Sequence, residues 1–262
     1  MRIQPVLILA LAAPPLATPL LAQRNPRAAQ PERPTVATHA GTVAAGWLEV
    51  ESGVELDHGA DPEHASVGVV VAKIGIGARA QLSLYGSATR PSDNVGGVGD
   101  VAVAVKWRLV EKHRWLGDFD VQPALKVPSG SVSRGSGTGT TDAGILVISS
   151  RDAGPVHVDL NLGYTFRGGS GVHAHRESWL WTASFGGAVA GRLAWTAELF
   201  GIPGTGGSRG SAPLVGFLAG PTFALRDWLV LDTGGIVPVA GAQPRAFYAG
   251  AVWNVGRFWG GR

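Results

Sequence analysis

Hydrophobic and polar residues alternate with a period of two along residues 97–110, GVGDVAVAVKWRLV. Val103 and Trp107 fall on one parity, whereas Lys106 and Arg108 fall on the other. Because successive side chains of a strand point to opposite faces, this segment has one apolar face and one small or charged face. An apolar face that ends in an aromatic residue, opposite a face with both signs of charge, is typical of a strand between lipid and a wet lumen.

The same alternation recurs along the chain and predicts about twelve strands. Residues 156–167 alternate as clearly as the first segment, with Leu160 and Leu162 on one parity and Asp159 and Asn161 on the other. The apolar spacing is two rather than the 3.6 of an amphipathic helix, so no helix of any length is predicted. The predicted strands are residues 47–56, 67–76, 80–87, 97–110, 118–127, 145–150, 156–167, 179–185, 193–199, 213–225, 228–237 and 246–259.

The connections between these strands alternate in length. Long connections at 57–64, 89–96, 129–141, 168–177, 203–212 and 238–245 are separated by short ones at 77–79, 111–117, 151–155, 190–192 and 226–227, of which 111–117 is a middling exception. Outer-membrane barrels of bacteria have short periplasmic turns and longer external loops. The order therefore predicts an all-β fold, an antiparallel transmembrane β-barrel of about 12 strands with periplasmic termini. A secreted soluble β-sandwich or jelly roll is the alternative.

The first residues of the chain have the three-part layout of a secretory signal. Arg2 precedes an apolar run over residues 6–13, and small residues lead to a cleavage site near Ala22. The next stretch mixes Pro, Arg, Ala and Thr without periodicity, which is typical of a mobile linker. The sequence thus predicts a signal peptide over residues 1–22, a flexible linker over 23–40 and a transmembrane β-barrel domain over 41–262.

Composition favours the barrel over the sandwich. Charged residues make up 16% of the chain and 39 residues are glycine. A soluble protein so poor in charge would struggle to cover its surface, whereas a lipid-facing belt removes that difficulty. The net charge of +3 is too small and too scattered to indicate binding to nucleic acid. The absence of cysteine excludes disulfides, thiolate zinc sites and cysteine lipidation.

Three segments, GVGDVAVAVKWRLV, GDFDVQPALKVPSGS and TDAGILVISS, resemble the bacterial outer-membrane transporter family labelled as a meta-pathway of phenol degradation. Its members show a Gly-x-Gly-Asp strand start, a Lys-aromatic-Arg strand end and a Leu-Pro-Thr-Gly-like exit. Here these are Gly97, Gly99 and Asp100, then residues 106–108, then residues 127–130 with Ser129 in place of the usual threonine. The resemblance covers most of the mature chain and is specific over residues 97–142. It implies an outer-membrane barrel.

Charged side chains on the non-apolar parity are expected to line the lumen, and both signs occur among them. Opposite charges on one face of neighbouring strands attract, so Lys106 and Arg108 should lie close to Asp118 and Asp120 if residues 111–117 form a hairpin turn. Such pairs narrow a passage and set its electric field. The predicted selectivity residues are Asp100, Lys106, Arg108, Asp118, Asp120, Lys126, His157, Asp159, Arg167 and Glu198, and Glu49, Glu51, Glu55 and Lys73 are also assigned to the lumen.

The sequence gives little support for a metal site. His157, Asp159 and Asn161 share one strand face, but same-face neighbours lie about 6.6 to 6.8 Å apart along a strand, so a shared ion would need all three to bend toward it. Hydrogen bonding in the lumen explains them more simply. His173 and His175 share a long loop with no third ligand nearby in sequence. The sequence predicts no metal and no cofactor.

A catalytic set is also considered. Ser149, Ser150 and His157 flank one short turn, but that turn faces the periplasm in the predicted topology, whereas the substrates of outer-membrane barrel enzymes arrive from outside. The sequence therefore predicts that the protein is not an enzyme.

The predicted function is the passive uptake of small solutes through an outer-membrane channel, with aromatic or hydrophobic solutes among the candidates. The alternatives are a non-conducting structural or surface barrel and an outer-membrane enzyme. Expected partners are outer-membrane lipid and lipopolysaccharide, the barrel-assembly machinery and the small-molecule solute. The predicted location is the outer membrane of a Gram-negative-type bacterium, reached through the cleaved signal peptide.

Overall fold

The computed structural model describes residues 25–58, 64–91, 96–168, 176–206, 211–241 and 243–259, where the chain forms strands and no helix. The predicted signal peptide and the pair His173 and His175 lie outside these residues. The strands are β1 (Trp47–His58), β2 (His64–Gly75), β3 (Ala80–Pro91), β4 (Gly97–Val98), β5 (Val101–His113), β6 (Gly117–Val127), β7 (Asp142–Ala153), β8 (Val156–Arg167), β9 (Glu177–Ala190), β10 (Leu193–Ile202), β11 (Leu214–Arg226), β12 (Leu229–Gly241) and β13 (Arg245–Arg257).

No helix in the described part of the chain is long and apolar enough to cross a membrane.

The strands form one closed antiparallel barrel. Consecutive long strands pair with each other from β5 to β13, β13 pairs with β1, and the β2–β3 pairing joins the two ends of the sheet. The two-residue β4 pairs with Ala88 and Thr89 of β3, beyond Tyr85, where the pairing of β3 with β5 ends. Twelve long strands therefore make up the wall, and the predicted antiparallel barrel is confirmed.

Several strands are longer than the alternation predicted. β7 spans Asp142–Ala153, although the sequence indicated only residues 145–150. β5 continues to His113 and β6 begins at Gly117, so the middling connection is a turn of three residues and the alternation of short and long connections has no exception there. The added residues lie at strand ends. Where both faces of a strand meet water, the backbone ladder continues but the contrast between polar and apolar parities is lost.

Burial follows the predicted parity with the apolar side chains outward. On β5, Val103 and Trp107 are 40% and 46% exposed, whereas Ala104 and Lys106 are 2% and 0% exposed. The sequence of β2 over residues 67–75 is apolar on both parities apart from Lys73, and the full burial of Lys73 inside the barrel sets the facing of this strand. Apolar side chains outside and charged side chains inside reverse the arrangement of a soluble protein and suit a wall surrounded by lipid.

Residues 25–46, here called the plug, lie inside the barrel. They occupy the half nearest the five short turns, the short-turn end, where β1 begins and β13 ends. This placement differs from the flexible linker expected over residues 23–40, since those from Asn25 onward are fixed by hydrogen bonds to the wall. The segment shows no periodicity because its partners are side chains of many strands rather than one neighbouring strand.

Candidate functional site

The plug enters and leaves at the same end of the barrel. Near its start the amide of Ala29 donates to the carbonyl of Asp227, in the turn between β11 and β12, over 2.8 Å. At its far end Ala45 forms a bridge with Gly75, the last residue of β2. Between these points the plug reaches Glu198 on β10 and Asn161 on β8, on the other side of the lumen from β1 and β2. It therefore crosses the passage rather than following one wall.

Side chains of the wall bind the plug largely through the main-chain groups of the plug. Glu198 accepts hydrogen bonds from the amides of Val36 and Ala37, both over 2.7 Å. Asn161 accepts from the amide of Thr38 over 2.7 Å and donates to its carbonyl over 2.9 Å. The plug belongs to no strand ladder, so its buried main-chain amides would otherwise lack hydrogen-bond partners. A carboxylate has only acceptor atoms and can therefore pair with two such amides. The other amides held by wall side chains are those of Gln30 by Glu49, Glu32 and Arg33 by Glu51, Ala40 by Ser150 and Val43 by Gln81.

Two buried lysines anchor the acidic part of this arrangement. Lys73 forms ion pairs with Glu49, over 2.7 Å, and with Glu51, and it donates to the carbonyl of Gln30 over 2.6 Å. Lys106 pairs with Glu32 of the plug over 2.5 Å. Both lysines are fully buried, and a buried charge is tolerated only with such partners. The plug therefore completes the charge balance of the wall.

Arg33 forms a cationic contact between the plug and the wall. Its guanidinium pairs with Asp232 on β12 over 3.2 Å. It also lies against Gly53 and Gly250, which face each other across the β1–β13 pairing, and a Cβ atom at either glycine would overlap it. The wall thus leaves a notch where the guanidinium sits. Glycine at both positions allows the guanidinium to approach the wall closely.

The predicted selectivity residues are only partly brought together. Arg108 lies 3.7 Å from Asp120, as expected for neighbours across β5 and β6, and it also donates to the carbonyl of Ala40 over 2.9 and 2.6 Å. Lys106 differs from the expectation, because its partner is Glu32 rather than an acid of β6. Asp118 lies at the short-turn end and accepts from the amide of Lys112.

Sequence reasoning missed the plug residues of this site altogether. Glu32 and Arg33 stand in a proline-rich stretch, QPERPT, whose composition alone suggested a linker. The signal that could have pointed to them was the excess of acids on the inward parity of β1, where Glu49, Glu51 and Glu55 outnumber the single cation Lys73 of β2.

Lys126 and Arg167 belong to a separate cluster at the long-loop end. Lys126 pairs with Asp100 over 2.6 Å and with Asp142 over 3.2 Å, and Arg167 lies 3.4 Å from Asp142. Burial would raise the pKa of Asp100, but hydrogen bonds from Lys126 and from the amides of Thr138 and Gly130 outweigh it and lower that pKa to about 2. This cluster holds the connection 128–141 against the rim.

His157 and Asp159 lie on the inner face near the short-turn end. The His157 ring nitrogens are 2.7 Å from Asp152 and 3.1 Å from Asp159, and Ser150 donates to Asp159 over 2.5 Å. Asn161, the third member of the predicted set, is engaged with Thr38 instead. Across the described ranges no group of His, Cys, Asp and Glu side chains is arranged to hold a metal ion.

The half of the lumen nearest the long connections has a different wall. An apolar cluster on the inner face of β10 to β13 consists of Phe200, Leu218, Ile236, Ala246 and Tyr248, with Leu214 packed against it. These side chains are 1% to 8% exposed although they lie inside the barrel. The opposite inner wall carries the side chains of Tyr85 and Gln122, which are joined by a hydrogen bond of 3.1 Å. Aromatic and aliphatic groups on one side and polar groups on the other give this half an amphipathic lining.

A closed antiparallel wall with an apolar exterior and a polar interior defines the class of outer-membrane β-barrels. The family profile described as "Putative MetA-pathway of phenol degradation" matches residues 38–242. The chain belongs to this family, which confirms the resemblance found in the sequence.

Solved structures support the same fold. The COG4313 outer membrane channel from Pseudomonas putida F1 matches with a TM-score of 0.64 at 12% identity, over 82% of this chain and 97% of that one. The NanC porin matches with a TM-score of 0.49 at 13% identity, over 79% of this chain and 98% of that one. At these identities the first match shows a shared fold. Comparison with curated protein sequences gives no match.

Proposed function

We propose that the protein is an outer-membrane channel for the passive passage of small solutes, and that solutes with an aromatic or aliphatic part are favoured. The observation that carries this proposal is the apolar cluster on the inner face of β10 to β13. A charged lumen alone would suit hydrophilic solutes, whereas an inner wall that contains Phe200, Leu218 and Ile236 would favour a solute with apolar surface.

The test compares two solutes of equal charge and similar size that differ in apolar character, benzoate and a sugar acid, in liposome swelling with the reconstituted protein. We expect benzoate to enter faster. Changing Leu218 and Ile236 to asparagine should lower benzoate entry several-fold and leave the sugar acid unaffected. Thr165→Asn, on the inner face of β8, is the matched control and should preserve the preference. A folded protein that neither swells liposomes nor conducts in a planar bilayer would instead support a structural or surface role.

The charged residues are proposed to set ion preference. Lys106 and Arg108 contact the plug, so their field acts on solutes that pass when the plug is displaced. Lys106→Glu combined with Arg108→Glu should shift the reversal potential in a salt gradient toward cations. An unchanged reversal potential in a conducting channel would remove both from the pore. No catalytic or cofactor role is proposed.

We also propose that the short-turn end faces the periplasm and that export uses residues 1–22 as a signal peptide. The supporting observation is that the barrel begins and ends at the side of the short turns, as is usual for bacterial barrels. Tags inserted at Gly137 and Gly206 should be labelled on intact cells, and a tag at Asp227 should not. Surface labelling at Asp227 alone would invert the topology. Lipopolysaccharide and the barrel-assembly machinery are the partners that this location implies.

A further inference from the structure

We propose that the short-turn half of the lumen is a binding site for a peptide backbone, which residues 25–46 of the same chain occupy as a releasable plug. The proposal goes beyond passage of solutes, because it assigns a peptide ligand to the wall. It rests on three features of the structure, which are the groups that the wall presents, the side chains that it selects and the direction from which the site is entered.

The wall presents hydrogen-bond acceptors to the amides of the plug. Glu49, Glu51 and Glu198 are fully or almost fully buried, and their carboxylates accept hydrogen bonds from main-chain nitrogens of the plug. Val36, whose amide is bound by Glu198, keeps its side chain 41% exposed. At this position the wall therefore recognises the backbone and tolerates different side chains. Recognition of main-chain groups is the usual basis of affinity in peptide-binding sites.

Two plug side chains add selectivity to this backbone recognition. Glu32 pairs with Lys106, and Arg33 pairs with Asp232 while its guanidinium fills the notch at Gly53 and Gly250. An acid followed by an arginine is therefore the feature that a competing peptide needs. A Cβ atom at either glycine would overlap the guanidinium, so the two glycines leave room for it.

The site opens toward the short turns. A cavity of about 520 Å³ lies between Gln30 of the plug and the wall residues Lys112, Asp118 and His157, and a second of about 190 Å³ adjoins Arg33. Both recesses are partly open to solvent, so this part of the plug is accessible from the short-turn end. A peptide would enter from this end, where the plug itself enters.

The first experiment uses the absence of cysteine in the chain. The full-length protein with Ala37→Cys, which is 2% exposed, should react slowly with a maleimide while the plug is bound, and Val36→Cys should react quickly as the matched control. A synthetic peptide of residues 25–46, added in excess, should raise the labelling rate of Ala37→Cys at least tenfold by displacing the plug. No effect of the peptide on a folded protein would overturn competition for the site.

The second experiment empties the site in the full chain. Proline at positions 36, 37 and 38 removes three amide donors. This variant should bind a fluorescently labelled peptide of residues 25–46 saturably. N-methylation of the peptide at Val36 and Ala37 should weaken binding at least tenfold, whereas Val36→Thr in the peptide should not. Equal binding of the N-methylated peptide would overturn backbone recognition. If the proline variant does not fold, the labelling experiment decides alone.

Neither readout needs solute passage. Peptide binding without conductance would therefore leave this inference standing and reject the proposed channel, and conductance without peptide binding would do the reverse.

Discussion

The two halves of the lumen are stabilised by different interactions. The short-turn half is filled by the plug, and its wall buries charged groups such as Lys73, Lys106 and Glu198. The long-loop half has an apolar cluster on β10 to β13 and a charged rim in which Lys126 keeps 20% of its side chain exposed. Both halves belong to the same strands, so the strands alone do not decide what fills the barrel.

The difference shows that buried charge in this barrel follows the plug. A charge surrounded by lipid and protein needs partners, and the plug supplies Glu32, Arg33 and a row of amides where the wall is most charged. Where the plug is absent, the inner wall is apolar or meets water. The charged side chains that are buried most completely, such as Glu49, Lys73, Lys106 and Glu198, thus lie beside the plug.

The largest effect is expected from breaking a buried pair in the plugged half. Lys106→Met leaves Glu32 with Lys73 as its remaining cation, at 4.0 Å, and should destabilise the folded protein by about 3 to 5 kcal/mol. Lys126→Met is the matched control at the rim, where a partly solvated pair contributes about 1 kcal/mol or less. Urea unfolding in lipid vesicles measures both. Equal losses would show that the two halves do not differ in this respect.

The second prediction, with a somewhat smaller expected effect, tests whether the charged face of each strand points into the lumen. Val103→Arg places a charge in the lipid and should cost about 2 to 4 kcal/mol near the midplane of the membrane. Ala102→Arg, one residue earlier and facing inward, should fold with a markedly smaller loss. The same unfolding measurement applies, and a reversed order would contradict the assigned facing.

A third prediction concerns the notch without changing any charge. Gly250→Ala forces the Arg33 guanidinium away from Asp232 and should cost about 1 to 3 kcal/mol through the lost charged hydrogen bonds. At Gly86 a Cβ atom meets nothing within 4 Å, so Gly86→Ala should have little effect. Faster maleimide labelling of Ala37→Cys in the Gly250→Ala background would locate the loss in the plug.

The smallest effect is expected at the charged rim. The pKa of Asp100 is lowered from 3.8 to about 2, so its contribution to stability is present above about pH 4 and is lost as the pH falls toward 2. Proteolysis of the connection 128–141 by pepsin should therefore accelerate over this range. Asp100→Asn should be cleaved faster at pH 4 and show a weaker pH dependence. A wild-type protein with constant susceptibility from pH 4 to 2 would exclude this tether.

The wall could be predicted from the sequence because the alternation within each strand shows which of its faces is apolar. Val103 and Trp107 lie on the opposite parity from Lys106, and the contrast is clear because one face of the strand contacts lipid. The plug could not be predicted in this way, because Glu32 and Arg33 lie more than 40 residues from Lys106 and Asp232 and no period relates them. For the same reason the sequence assigned Lys106 to an acid of β6, which the predicted hairpin brings onto the same face.

The position of Arg33 has a consequence for assembly. Its notch consists of one glycine from the first strand and one from the last, Gly53 and Gly250, which pair with each other only in the native register. A slip of two residues would place Tyr248 or Val252 opposite Gly53 and fill the notch. The notch that lets Arg33 pair with Asp232 therefore exists in the native register. The contact of Arg33 with Asp232 therefore stabilises the native register of the wall over a slipped one.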